Sequence, residues 1–376
     1  MTNIKRILEA ASGGATATDY QLMSWGKGTD GALGLGNTTN YSSPKTVGSA
    51  DTWTQLSTSQ YGAKNSVGVI KNGALFTWGD NTDGNLGLGN TTSYSSPKQV
   101  GSLTDWAEVS MGGEHCLAVK KNGTLWAWGN GTSFGALGLG NTSDYSSPKQ
   151  VGSLTNWSKV AASPTLSRSA AIKTDGTLWT WGNGATGVTG HGDITNRSSP
   201  VQVGSLTNWA EIAVSGQHMV AVKTDGTLWA WGNGGAGRLG FGNTTSYSSP
   251  KQVGALTNWA TPAVSNYFSG CVKTDYTLWT WGSGSYGKLG HGNTTSYSSP
   301  KQVGALTNWL QMSMGGMHSV CVKTDGTLWS WGNNGGGKLG LGNTTHYSSP
   351  KQIGSLTSWK AVSCLGYGGN LAFYEP

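Results

Sequence analysis

Short segments of alternating apolar and polar residues recur along the whole chain, separated by runs rich in Gly, Ser, Thr and Asn. Within one period the alternation predicts four β-strands, at 209–214, 218–224, 227–232 and 250–254. Charged residues are scarce, at 11% of the chain, and long helical patterns are missing from this region. The pattern therefore predicts an all-β fold.

The same unit is repeated seven times. Its marker is a Trp-Gly pair that returns every 50 or 53 residues, at Trp25, Trp78, Trp128, Trp181, Trp231, Trp281 and Trp331. Four short strands per repeat of this length predict a seven-bladed β-propeller of four-stranded blades. The chain enters at the third strand of a unit and leaves after the second. We therefore expect the N-terminal strands to pair with the C-terminal strands and close the ring.

The repeat pattern G-x-x-H-x-x-A-V, D-G-x-L-x-x-W-G-x-N-x-x-G-x-L-G-x-G and P-x-x-V resembles the repeat of the regulator of chromosome condensation family. The resemblance covers about residues 20–376 and implies a single propeller domain there, after a leader at 1–19. Relatives include a guanine-nucleotide exchange factor on chromatin, β-lactamase inhibitory protein II and many interaction modules. The resemblance therefore predicts the fold more narrowly than the function.

Glycine is abundant, with 61 residues, and Gly232, Gly234 and Gly237 form a G-x-G-x-x-G motif like that of dinucleotide-binding loops. A pyrophosphate site also needs the N-terminus of a helix within a parallel βαβ unit. Here the motif recurs in several repeats and is followed each time by another turn. We interpret these glycines as turn residues that adopt positive φ.

Composition and spacing argue against several other kinds of site. The net charge of +7 comes largely from lysines spread around the ring, so no nucleic-acid patch is predicted. The four cysteines lack a C-x-x-C motif and the six histidines are distributed among the repeats, so neither a metal nor a cofactor is expected. No converging acid, base or nucleophile is apparent, and we expect no enzymatic activity.

The seven copies differ most in two loops, those that join strands one to two and three to four. Strand alternation puts both on one side of the disc, which we call the variable face, and the other two connections on the opposite side, the constant face. Exposed aromatic residues, methionine and arginine are typical of protein interfaces. The predicted partner contacts are Tyr61, Lys64, Met111, Glu114, His115, Phe134, Arg168, Gln217, His218, Arg238, Tyr267, Phe268, Tyr286, Met317, His318 and Tyr367.

The leader suggests an attachment segment. Residues 4–11 favour a short helix, and a flexible Gly/Ala/Thr link follows. We expect Ile4, Ile7 and Leu8 to bind a larger assembly, for example a virus or phage particle, through residues 1–15. Glu9 interrupts the apolar run, so no secretory signal peptide is predicted, and no membrane span is expected either.

These patterns predict a non-enzymatic binding scaffold that presents the variable face to a protein or glycan partner, displayed through its N-terminal segment. Two alternatives remain open. One is a soluble inhibitor resembling β-lactamase inhibitory protein II. The other is a chromatin-associated guanine-nucleotide exchange factor, which the near-constant repeat spacing disfavours because that relative uses a projecting insertion. Loop variation without function would also explain the differences between copies. Localisation is not predicted.

Overall fold

The computed structural model describes residues 19–49, 51–59, 64–366 and 368–376. Within these residues, 28 strands form seven antiparallel sheets of four strands each. This confirms the predicted all-β, seven-bladed propeller. No helix in the described part of the chain is long and apolar enough to cross a membrane.

The first strands of the chain belong to the closing blade and are β1 (Gln21–Gly26) and β2 (Tyr41–Thr46). Blade 1 contains β3 (Trp53–Thr58), β4 (Ser66–Lys71), β5 (Ala74–Gly79) and β6 (Tyr94–Gln99). Blade 2 contains β7 (Trp106–Met111), β8 (His115–Lys120), β9 (Leu125–Gly129) and β10 (Tyr145–Gln150). Blade 3 contains β11 (Trp157–Ala162), β12 (Arg168–Lys173), β13 (Leu178–Gly182) and β14 (Arg197–Gln202).

Blade 4 contains β15 (Trp209–Val214), β16 (His218–Lys223), β17 (Leu228–Gly232) and β18 (Tyr247–Gln252). Blade 5 contains β19 (Trp259–Val264), β20 (Phe268–Lys273), β21 (Leu278–Gly282) and β22 (Tyr297–Gln302). Blade 6 contains β23 (Trp309–Met314), β24 (His318–Lys323), β25 (Leu328–Gly332) and β26 (Tyr347–Gln352). The chain returns to the closing blade with β27 (Trp359–Leu365) and β28 (Gly369–Tyr374). Short 3₁₀ turns occupy Thr29–Gly31, Ala185–Gly187, Gly235–Gly237 and Ser285–Gly287.

The two ends of the chain build the closing blade together. Its strand order is β2-β1-β28-β27, and β1 pairs with β28 from Gln21 opposite Tyr374 to Gly26 opposite Gly369. The predicted closure is therefore confirmed. The pairing leaves no open blade at which a further repeat could add.

In each blade the first strand lies at the centre of the ring and the fourth at the rim. The inner strands of neighbouring blades, such as β15 and β19, contact each other. The rim strand begins earlier than predicted, since β18 starts at Tyr247 and Pro250 is its fourth residue. A bulge explains the error: Lys251 faces Ala230 but Tyr247 faces Gly232, so the proline sits where the ladder is interrupted.

Tryptophan joins each blade to its neighbour. Trp231 of blade 4 is fully buried, and its Nε1 donates a hydrogen bond of 2.8 Å to the carbonyl of Val188 in blade 3. The corresponding bond is present at every other blade junction, from Trp25, Trp78, Trp128, Trp181, Trp281 and Trp331. These rings therefore pack between blades and are not available to a ligand.

The glycine motif belongs to this same packing. Gly232 and Gly237 have φ of 102° and 75°, and a Cβ on Gly237 would lie 2.4 Å from the Cα of Ser298 in the next blade. A side chain there would clash with backbone. Both glycines are therefore architectural. Gly234 is as well, since a Cβ there would lie 2.0 Å from the Thr245 carbonyl oxygen, but its φ of −87° corrects the expectation of positive φ at that position.

Candidate functional site

The strand register places the two variable loop types on one face. His218, the first residue of β16, pairs with Gly232, the last residue of β17, and Gly232 pairs in turn with Tyr247, the first residue of β18. The loops before His218 and after Gly232 therefore leave the blade at the same edge. The variable face thus consists of the loops between first and second strands and those between third and fourth strands.

Hydrogen bonds across blades hold the inner loops of this face together. The side-chain carbonyl of Asn266 in blade 5 accepts hydrogen bonds from Thr165 Oγ1 of blade 3, at 2.8 Å, and from the Gly216 backbone of blade 4, at 3.1 Å. Gly316 of blade 6 donates to the Gly366 carbonyl of the closing blade at 2.9 Å. The face presents a connected surface at these junctions.

Three predicted contact residues are aromatic and exposed on this face. The exposed fractions are 45% for Phe134, 43% for Tyr267 and 46% for Tyr286. The ring of Tyr286 packs edge-on against His346 of the neighbouring blade, with centroids 5.9 Å apart. These rings offer apolar area to a partner, and their role as contacts stays a prediction.

Four further predicted contacts are partly exposed and polar or flexible. Gln217 and Met317 occupy the inner loops of blades 4 and 6. Lys64 Nζ lies 2.8 Å from an Asp83 carboxylate oxygen and 4.0 Å from Glu114. Burial and the nearby Asp83 and Asp144 carboxylates raise the pKa of Glu114, with Lys64 acting in the opposite direction. These four side chains are accessible to a partner.

The expectation of exposure is wrong for Met111 and Phe268. Both are fully buried, Met111 in the core between blades 1 and 2 and Phe268 in the core between blades 5 and 6. Met111 is the last residue of β7 and Phe268 the first of β20, so both belong to strands and not to loops. Side-chain alternation then turns them between neighbouring blades.

The expectation is also wrong for the three histidines. His115, His218 and His318 are each at most 1% exposed, and each Nε2 bonds to a side chain of the following blade. The partners are Ser169 Oγ at 2.9 Å, Ser269 Oγ at 2.6 Å and Asn370 Oδ1 at 2.8 Å, respectively. Burial lowers the pKa of all three imidazoles, to about 4 for His115 and about 3 for His318. They join blades and are not exposed on the variable face.

Arg168 and Arg238 are buried as well, at 2% and 7% exposure, which corrects the prediction that they project from the face. The Arg168 guanidinium donates to carbonyls of Asn183, at 2.9 Å, and of Gly216. The Arg238 guanidinium donates to Gly235 and Asn266 carbonyls, both at 2.6 Å. Both side chains stabilise the loops by satisfying backbone acceptors that have no strand partner.

Five predicted residues lie outside the described part of the chain. They are the contact residues Tyr61 and Tyr367 and the attachment residues Ile4, Ile7 and Leu8. Their proposed roles stay predictions.

Three exposed rings have a left-handed backbone, Phe134 and Tyr286 on the variable face and Tyr276 on the constant face. Phe134 and Tyr286 have φ of 66° and 61°, in the left-handed region that bulky residues rarely adopt. Blade 6 has Gly336 at the position of Tyr286, with φ 78°. Glycine avoids a cost of about 1 kcal/mol there. The sequence alone did not reveal this strain, although the alignment of the repeats puts Tyr286 opposite a glycine.

The constant face also exposes apolar side chains, which the sequence analysis did not anticipate. Six leucines recur at one repeat position in the connections between blades, and between 43% and 49% of each is exposed: Leu103, Leu154, Leu206, Leu256, Leu306 and Leu356. Tyr276 lies in a hairpin of the same face and is 47% exposed. Apolar exposure is therefore not restricted to the variable face, although the leucine positions are uniform among the blades.

Two acidic residues of inner strands, Glu108 and Glu211, line one cavity. Glu108 Oε2 accepts a hydrogen bond from Gln55 at 2.7 Å, and Glu211 pairs with Lys159 at 2.6 Å, each across a blade junction. They line a cavity of about 30 Å³, which is room for about one water molecule. We interpret these pairs as links between inner strands. Across the described residues, no cluster of three or more His, Cys, Asp or Glu could hold a metal ion.

Seven segments match the sequence model of the regulator of chromosome condensation (RCC1) repeat, at residues 21–62, 72–119, 122–167, 175–222, 225–272, 277–322 and 325–369. The E3 ubiquitin-protein ligase HERC2 of Homo sapiens is 30% identical over 205 residues, 53% of this chain and 4% of that protein. The ultraviolet-B receptor UVR8 of Arabidopsis thaliana is 30% identical over 191 residues, 50% of this chain and 43% of that protein. The chain thus spans less than half the length of these curated relatives.

Solved structures show the same fold at lower identity. Prp20p of Saccharomyces cerevisiae superposes with a TM-score of 0.82 at 18% identity, covering 96% of this chain and 92% of that one. At this identity the likeness extends to the fold alone.

The buried His115 predicts a pH-dependent stability. Its folded pKa of about 4 lies below the value of 6.5 expected without burial, so the unfolded chain binds the proton between these pH values and the folded chain does not. The stability that the neutral His115 contributes is fully present above pH 6.5 and is lost as the pH falls to about 4. We expect this residue to contribute roughly 3 kcal/mol to the decline.

The measurement is the free energy of urea unfolding at several pH values for the wild type and for His115→Gln. The variant lacks the titrating group, so its free energy should fall less steeply in this range whatever its stability at neutral pH. Equal pH dependence in the two proteins would contradict the assignment.

Proposed function

The chain belongs to the regulator of chromosome condensation (RCC1) repeat family, and on that premise we propose that it is a non-enzymatic scaffold that binds a protein or glycan through its variable face. Three exposed rings have positive φ. The observation that carries the proposal is that two of them, Phe134 and Tyr286, occupy corresponding turns of the variable face, whereas Tyr276 lies alone in a hairpin of the constant face. Each occupies a conformation in which glycine is more stable. A bulky ring retained at such a cost points to a use for the ring.

Unconstrained drift accounts for this less well than a binding role. An exposed aromatic residue lowers solubility, and the left-handed backbone adds strain, so drift at the position of Tyr286 would favour small or polar residues. Other blades carry such residues there at positive φ: Asp30, Thr186, Ala236 and Gly336. Aromatic side chains are also the residues that most often dominate binding energy at protein interfaces.

Among possible partners, a protein is favoured by the comparisons. Prp20p was described together with its binding to Gsp1p and histones, and the same protein has been solved bound to Kap60. A soluble inhibitor of another protein and a guanine-nucleotide exchange factor are both special cases of protein binding. The exchange-factor alternative is disfavoured, because the loops have nearly uniform lengths and contain no long insertion.

The entry point of the chain supports display of the variable face. Tyr20, which precedes β1, exchanges backbone hydrogen bonds with Asp51 in a connection of the constant face. The described part of the chain therefore begins at that face. We propose that attachment to a larger assembly, such as a virus or phage particle, through residues 1–15 directs the variable face outward.

The test of the binding role is Tyr286→Gly. Glycine relieves the strain at φ 61°, so the stability should stay within about 1 kcal/mol of wild type while affinity for the native partner falls at least tenfold. The partner is first recovered by gel filtration of native material and identified by mass spectrometry, and the affinities are then measured by calorimetry.

Tyr276→Gly is the matched control, because Tyr276 has φ 60° and nearly the same exposure but lies on the constant face. Its affinity for the partner should equal that of wild type. Equal losses in the two variants, or a loss only in the control, would show that the variable face is not the binding surface.

The test of display is deletion of residues 1–15, which precede the described part of the chain. The shortened protein should fold, as judged by its melting temperature, but should no longer co-sediment with its native assembly. Retained co-sedimentation would reject attachment through this segment.

A further inference from the structure

The variable face is divided by charge. In blades 4 to 6, its loops carry three cationic residues and no Asp or Glu: Arg238, Lys288 and Lys338. In the closing blade and blades 1 and 2, they carry two lysines, Lys27 and Lys64, and five acidic residues: Asp30, Asp80, Asp83, Glu114 and Asp144. We call these regions the basic half and the acidic half. They lie on opposite sides of the channel because the blades are arranged in chain order.

The basic half is centred on the exposed ring of Tyr267. The Arg238 guanidinium carbon lies 5.6 Å from the centre of this ring, and Lys288 Nζ lies 5.3 Å from it. Both cations are more than nine-tenths buried. Arg238 bonds to backbone carbonyls and Lys288 to Ser285 Oγ at 3.1 Å, and neither forms an ion pair with a carboxylate of the described residues.

Two like charges in a region of low dielectric repel each other strongly. Burial and the charge of Arg238 lower the pKa of Lys288 to about 8. Positive potential therefore reaches the surface beside Tyr267, and an anionic group bound there would offset the repulsion between the two cations.

The acidic half has an excess of negative charge. Burial and the charge of Asp80 raise the pKa of Asp30, just as burial and the charges of Asp83 and Asp144 raise that of Glu114. Lys64 pairs with Asp83, and Lys27 lies against Gly336 at the border with the basic half, so the two lysines compensate only part of this charge. A cation from outside would stabilise the remaining carboxylates.

We propose that the variable face binds a protein surface of complementary polarity, with carboxylates of the partner over the basic half around Tyr267 and cations of the partner over the acidic half. The inference rests on the proposed function, since it concerns the same face. Charge complementarity of this kind fixes the orientation of a partner and speeds association.

A nucleic acid fits this face less well than a protein. A phosphate backbone carries a continuous run of negative charge, which only the basic half would attract. The acidic half would also repel the continuing phosphate backbone. A protein surface can carry both signs of charge at the required separation.

The experiment uses fluorescein-labelled octaglutamate and octalysine, each with a photoreactive benzophenone, on the full chain at about 20 mM ionic strength. Affinities are measured by fluorescence anisotropy and cross-links are mapped by mass spectrometry. Octaglutamate should cross-link to the loops around Tyr267 and Ser285, and octalysine to those around Asp83 and Glu114.

Ser285→Glu is the informative variant, because Ser285 is exposed and its hydroxyl already contacts Lys288. The new carboxylate should pair with Lys288 and weaken octaglutamate binding about fivefold. Thr29→Glu is the matched control: Thr29 is exposed and opens the corresponding turn, Thr29–Gly31, in the acidic half. It adds the same charge and should change octaglutamate affinity less than about twofold.

Three results would overturn the inference: octaglutamate cross-links on the acidic half or the constant face, no measurable binding of octaglutamate, or equal effects of Ser285→Glu and Thr29→Glu on its affinity. Circular dichroism melting of both variants establishes that they are folded. If Tyr286→Gly removes the native partner but the octaglutamate cross-links do not localise to the basic half, the proposed function stands and the charge assignment fails. If the cross-links localise as expected while the partner is unaffected by Tyr286→Gly, the charge assignment stands and the proposed function fails.

Discussion

The whole structure depends on one repeated interaction, the hydrogen bond from a buried tryptophan indole to a carbonyl of the preceding blade. In blade 4 the donor is Trp231 and the acceptor is Val188. Because the same bond recurs at all seven junctions, including Trp25 to Lys338 across the chain ends, each blade has a fixed angle to the next and the ring closes. The close approach also requires glycine at positions such as Gly237, where a Cβ would meet the neighbouring backbone.

The closed ring separates residues that stabilise the fold from residues that we propose to bind a partner. The residues that vary between blades fall into two groups: side chains buried at the junctions, such as His218 and Phe268, and side chains that project from loops, such as Tyr286. The first group adjusts the packing of one blade on the next. The second group projects from blades whose backbone hydrogen bonds are formed independently of these side chains. The fold therefore tolerates a strained residue such as Tyr286.

Sequence reasoning recovered the repeat, the number of blades and the closure, because the tryptophan spacing and the strand alternation are regular. It misplaced the start of the rim strand, since the bulge around Pro250 leaves no mark in the alternation. At the candidate site it placed both variable loop types on one face, which the strand register confirms, but it misjudged burial. His218 has a titratable side chain, and Phe268 differs from the histidine of the repeat pattern at that position. Each is nevertheless the first residue of a strand and faces the next blade. The charge division was readable from the sequence, whereas the burial of Lys288 beside Arg238 required the coordinates.

The central claim is that the variable face, and not the leucine-bearing constant face, meets the partner. Amide hydrogen exchange of the native complex, compared with the free chain, tests this most directly. The account predicts protection in the loops around Phe134, Tyr267 and Tyr286, with unchanged exchange around Leu206, Leu256 and Tyr276. Protection confined to the latter three would contradict it and would make the constant face the binding surface.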